Sequence, residues 1–157
     1  MPWELTISAG SGEPLGDRQS VVDHISNALP SLQWFEEPPF LEQIQDMPDH
    51  PFHKLIPTWP PEIQASFACS KLLGDLATDD FSIQFYGFES QSLLTLGVEV
   101  RGSGNPIPAL ASICVPKKWL ATENNNGQQI DFGVNAVGWQ QFQDNRDTAF
   151  RTIRQRQ

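Results

Sequence analysis

Val98-Glu99-Val100-Arg101-Gly102-Ser103-Gly104-Asn105-Pro106 passes from an apolar–polar alternation through a glycine turn to a proline suited to the first turn of a helix. The N-terminal region carries the same passage. Trp3-Glu4-Leu5-Thr6-Ile7-Ser8 alternates, and Gly10-Ser11-Gly12-Glu13-Pro14 interrupts it. Alternation of period two marks a half-buried strand. After the first turn, Asp17 is placed to cap a helix whose apolar residues Val21, Val22, Ile25, Ala28 and Leu29 share one face. Pro30 ends it, and Leu32-Gln33-Trp34-Phe35 reads as a strand. After the second turn, Ile107, Leu110, Ala111 and Cys114 mark a helix, Pro116 ends it, and Trp119-Leu120-Ala121 begins a strand. A β-α-β unit is thus written twice, each time with a tryptophan (Trp34, Trp119) where its second strand starts.

Between the two units, the spacing of Ile63, Phe67, Leu72, Leu73 and Leu76 behind Pro60-Pro61 predicts a helix over 61–76. Phe81-Ser82-Ile83-Gln84-Phe85-Tyr86 and Leu94-Thr95-Leu96-Gly97-Val98-Glu99-Val100 predict an antiparallel pair joined through Glu89–Ser92. Asn124-Asn125-Asn126-Gly127 predicts a two-residue hairpin turn between Leu120–Thr122 and Gln129–Phe132. Trp139, Phe142, Arg146, Phe150 and Ile153 predict a C-terminal helix with arginines near its end. The expected fold is α+β: a two-layer α/β sandwich with a mostly antiparallel or mixed sheet, split β-α-β repeats and helices on one face. At 157 residues the chain suits one domain.

Residues 36–61 differ from the rest, holding seven of the 13 prolines. Phe40, Ile44, Phe52, Leu55, Ile56 and Trp59 make this stretch too apolar for a solvated tether, so it reads as an ordered excursion from the frame.

Charge narrows the function. Residues 1–100 hold three Lys or Arg against fifteen Asp or Glu, while residues 101–157 hold seven against four. An acidic body repels phosphate backbones, which argues against a nucleic-acid partner and suits a basic one; acid that serves only solubility is the plain alternative. No stretch is apolar for long enough to span a bilayer. The N-terminus does not read as a signal peptide. Cys69 and Cys114, each in an apolar segment, read as core thiols of a cytoplasmic protein.

Motif by motif, catalytic chemistry fails to assemble. The first glycine loop carries Glu13 and Asp17 where an anion would sit. The second, beside Arg101, is the better anion cradle but lacks the lysine and hydroxyl of a nucleotide loop. Asp46, Asp49, His50 and His53 resemble a metal site. Pro48 and Pro51 break the helical spacing such a site needs, so Asp49 and His53 read as turn and capping residues, with no cofactor or metal expected. There is no Gly-x-Ser-x-Gly elbow and no cation beside either thiol. His24 falls on the outer face of the first helix.

The expectation is a non-catalytic protein-binding module of immunity or inhibitor type. Its acidic face, through Glu36, Glu37, Asp49 and Phe52, would meet a basic protein. The alternative is a small-ligand or enzyme site between sheet and excursion, with Arg101, Tyr86, His50 and His53 as its polar groups.

Overall fold

The computed structural model of the chain describes residues 2–132. Five strands expected or implied by alternation form a six-stranded sheet with the strand after the excursion: β1 (Trp3–Ser8), β3 (Gln33–Glu37), β4 (Lys71–Ala77), β5 (Phe81–Tyr86), β7 (Thr95–Gly102) and β8 (Leu120–Glu123). Two short strands, β2 (Gly16–Asp17) and β6 (Ser92–Leu93), pair separately. The sheet order is β3-β4-β5-β7-β1-β8, and every paired neighbour is antiparallel. The fold is α+β with an antiparallel sheet.

Antiparallel pairing throughout makes β1 and β3 run the same way, and likewise β7 and β8. Helix α1 (Arg18–Ala28) joins the first of these parallel pairs and α4 (Ile107–Lys117) the second. Neither pair is adjacent: three strands separate β1 from β3, and β1 itself lies between β7 and β8. Both written β-α-β units are therefore split crossovers, interleaved in one sheet.

Period two sets the register. Trp3 lies opposite Val100, Leu5 opposite Val98 and Ile7 opposite Leu96, while Ile83 and Phe85 flank Val100 and Val98 from β5. All of these are buried. They share one core with Val21 and Ile25 of α1 and with Ile107, Leu110, Ile113 and Cys114 of α4. The helices also meet each other: His24 donates from Nε2 to the Ile113 carbonyl at 2.8 Å and stacks edge-on against Trp119. His24 is thus an interface residue, not an outer-face one, because α1 is covered by α4 on that flank.

Local chemistry fixes the helix ends. Asp17 caps α1, accepting from the Ser20 backbone N–H at 3.0 Å and the Ser20 hydroxyl at 2.7 Å, and these bonds hold its carboxyl below the ordinary range. Pro116 does not stop α4. It sits inside the last turn, which closes on Lys118 in the left-handed conformation as the Trp119 N–H returns to the Cys114 carbonyl at 2.9 Å.

Three further expectations change. The helix predicted over 61–76 is short, α3 (Pro61–Phe67), and Lys71–Ala77 is strand β4. Gly74 decides this: a Cβ there would lie 2.9 Å from the Trp34 ring, so the bare backbone lets Trp34 lie across β4. Cys69 consequently sits in the connection before β4, half-exposed, instead of on a helical face. The Asn-rich hairpin turns over four residues. The Glu123 N–H donates to the Gln128 carbonyl, the Gly127 N–H to the Glu123 carbonyl, and Gly127 takes φ +69°. The C-terminal helix expected from Trp139 to Ile153 lies outside the described residues. No helix among the described residues is long and apolar enough to cross a membrane.

Candidate functional site

The excursion is an insertion between two hydrogen-bonded neighbours. Glu37 at the end of β3 pairs with Lys71 at the start of β4, and the intervening chain leaves and returns at that point. Pro39 precedes helix α2 (Phe40–Gln45), whose Ile44 is buried yet lies outside the main core. Two single 3₁₀ turns follow, Pro51–His53 and Ile56–Thr58, and then α3. Prolines punctuate each of these pieces at positions where a missing N–H costs no helical bond. The aromatic rings hold the insertion together: Phe40 meets Phe52 and Phe67, and Trp59 meets Phe52 and Phe67, with centroids 5.4–6.3 Å apart.

That small cluster leaves much apolar surface outside. Met47 is 51% exposed, Phe52 43%, Leu55 48%, Ile63 45% and Phe67 39%. Glu36, Glu37, Glu42, Asp46, Asp49 and Glu62 stand on the same segment with Lys54 as its one Lys or Arg before Lys71. Exposed apolar side chains on an acidic segment have the composition of a recognition surface.

The sequence-derived candidates divide accordingly. Glu36, Glu37, Asp49 and Phe52 are all exposed, on the insertion or its root. His50 is spent locally: its Nδ1 accepts from the Phe52 N–H at 3.1 Å, so His50 rather than Asp49 or His53 caps the first 3₁₀ turn. His53 lines a separate small cavity of about 300 Å³ with Ile44, Ile56 and Gln64. Arg101 is not brought to the excursion. It pairs with Ser82 across the β5–β7 ladder, and Ser82 pairs with Ala77 at the far end of β4 from Lys71. There its side chain ion-pairs with Glu99, Nε to Oε1 at 2.7 Å. The ladder thus sets Arg101 at the end of the sheet opposite the insertion's root.

The second glycine loop is also no anion cradle. The amides of Ser103 and Gly104 both donate to the Asp80 carbonyl at 3.0 Å, and Gly102, at φ +105°, would place a Cβ 2.4 Å from that oxygen. Glycine is required there for packing against the β4–β5 turn.

Tyr86, by contrast, lies near the root of the insertion. With Phe35, Glu37, Lys71, Leu73 and Glu89 it lines a groove of about 440 Å³. Burial raises its phenol above the ordinary value, and the carboxylates of Glu4 and Glu99 raise it further.

Opposite, on the face covered by α1, a cavity of about 430 Å³ is lined by Arg18, Gln19, Val22, Trp34, Glu36, Leu72 and Gln91. A hydrogen-bond chain through Ser70 joins two of its lining residues, Arg18 and Glu36. Arg18 Nη2 donates to Ser70 Oγ at 2.8 Å, and Ser70 Oγ donates to Glu36 Oε1 at 2.6 Å. The β2–β6 ribbon fixes its wall, since the Arg18 N–H donates to the Gln91 carbonyl at 2.9 Å and the Leu15 N–H to the Leu93 carbonyl at 2.7 Å. Gln91 Nε2 reaches Cys69 Sγ at 3.5 Å. Sequence reading missed this group because its members come from four distant segments. The one local cue was Trp34 beside Glu36, whose alternation puts both on one side of β3.

No protein-family model, curated protein or solved structure matches the chain.

Proposed function

We propose that this chain is a non-catalytic protein-binding module of immunity or inhibitor type, in which a two-layer α+β frame presents the helical insertion to a basic protein partner. One observation carries the reading: an acidic insertion leaves Met47, Phe52, Leu55, Ile63 and Phe67 between 39% and 51% exposed. Clustered exposed aromatic and aliphatic side chains supply anchors, and the surrounding carboxylates supply steering and discrimination against acidic surfaces. Two free thiols fit a reducing, cytoplasmic setting.

The test is affinity capture from the native host with the full chain and two variants. Glu36→Gln/Glu37→Gln/Asp49→Asn removes rim charge, and Phe52→Ser/Phe67→Ser removes anchors. The expected result is a basic partner retained by the parent chain and weakened about tenfold or more by the anchor variant. The charge variant slows association and flattens its salt dependence. If nothing is retained, or if what is retained ignores both variants, the reading is wrong.

A further inference from the structure

We propose that the cavity between α1 and the root of the insertion binds a zwitterionic amino acid with an apolar side chain. The cavity shares Glu36 with the rim of the protein-binding surface, but its ligand and its test do not rest on that reading.

The proposal starts from the two charges. Among the described residues Arg18 has no carboxylate at ion-pair distance, and Glu36 has no cation. Ser70 holds them apart: its hydroxyl takes one N–H of Arg18 and gives its own proton to one oxygen of Glu36. A guanidinium offers five N–H donors in a planar fork, so four remain, and a carboxylate retains most of its acceptor sites. A cation and an anion separated by one hydroxyl, with both free ends on the same cavity, are complementary to an ammonium and a carboxylate separated by one carbon.

The apolar lining supplies the third contact. Trp34, Val22 and Leu72 present carbon surface to the same cavity. Trp34 is fixed there, its Nε1 donating to Ser26 Oγ at 2.8 Å and its ring standing edge-on to Phe88 at 5.2 Å. A volume of about 430 Å³ lies in the range of small-molecule sites. The ligand's carboxylate would take the Arg18 fork, its ammonium the open oxygen of Glu36, and its side chain the Trp34 surface. Bidentate, charge-assisted bonds of this kind are the strong ones.

The experiment titrates the full chain with L-phenylalanine, N-acetyl-L-phenylalanine and L-phenylalaninamide, read by calorimetry and by the Trp34 indole N–H resonance. L-Phenylalanine is expected to bind saturably and to shift that resonance. The acetylated and amidated analogues, each lacking one charge, are expected to bind about tenfold more weakly or worse, the worth of one charge-assisted hydrogen bond. Arg18→Gln is expected to erase the preference over the amide, and Glu36→Gln the preference over the acetylated form. Should Arg18→Gln fail to fold by circular dichroism, Arg18→Lys retains charge without the fork and is expected to weaken binding, while Gln19→Trp obstructs the mouth from an exposed position. No saturable binding of L-phenylalanine up to about 10 mM, far above the range of a useful site, overturns the proposal. So does binding that Arg18→Gln, or Arg18→Lys in its place, leaves unchanged, or that treats the three probes alike.

Discussion

Gly97 and Tyr86 face each other across the β5–β7 ladder, and the tyrosine ring lies over the bare glycine backbone. A Cβ at Gly97 would sit 2.2 Å from the ring carbons, a distance no real contact tolerates. Gly97→Ala is therefore expected to destabilise the fold by about 1–3 kcal/mol, the usual cost of overpacking. Most of that cost should vanish in a Tyr86→Ala background, a cycle that urea unfolding measures. Cys114 gives a second residue-level outcome. Burial pushes its thiol up to about 12, well above the ordinary range of a free thiol. The folded state then favours the neutral thiol. The fold keeps this contribution below pH ~9 and loses it as pH rises toward ~12, where only the unfolded chain ionises. The total at stake is of order 4 kcal/mol. In unfolding titrations from pH 8 to 11, Cys114→Ala should flatten the alkaline loss of stability. In native protein a thiol reagent should modify Cys69 rapidly and Cys114 only after unfolding.

Among the elements, the strands with one covered face were the readable ones. β1, β5 and β7 alternate because one side is buried in the core shared with α1 and α4 while the residues facing the other way are less buried, and their pairing in the structure follows that pattern. Helix α1 was equally plain, from the Asp17 cap to the Pro30 boundary. β4 was not. Leu72 and Leu76 are four apart, as on a helix, and Leu73 fills the gap between them, so hydrophobic period alone did not separate strand from helix. Gly74 settled the matter only through Trp34, a partner forty residues earlier in the chain, which no local pattern reveals. The candidate cavity was illegible for the same reason: Arg18, Glu36, Ser70 and Gln91 meet through a crossover, an insertion and a two-residue ribbon. A clear expectation attaches to the insertion as an element. Replacing residues 38–70 by Asn-Gly, a turn suited to antiparallel neighbours, should leave a frame that still unfolds cooperatively on heating. The insertion's buried Ile44 lies outside the frame's core, so that core survives the excision. Partner capture should be lost with it.

Across the whole chain the net charge is −9, with the acid concentrated in the first hundred residues. A distribution so uneven acts at a distance. Association with a basic partner should slow steeply between about 50 and 500 mM salt, as the screening length contracts, while dissociation changes little. Stopped-flow measurements separate the two rates, and a salt-independent association rate would remove the electrostatic part of the proposed function. The apolar anchors would then carry recognition alone.

The insertion leaves and rejoins the sheet at a single cross-strand pair, Glu37 with Lys71. Its two ends are thus held about 5 Å apart by the ladder itself. Closing even a long loop across so short a gap adds little entropic cost with each further residue. Such a junction is a socket. What is plugged into it can lengthen, shorten or change sequence while the frame keeps its register, so specificity for a partner can diversify without refolding the body that displays it. The same property makes the Glu37–Lys71 junction a graft point at which a foreign peptide would be displayed with both ends anchored.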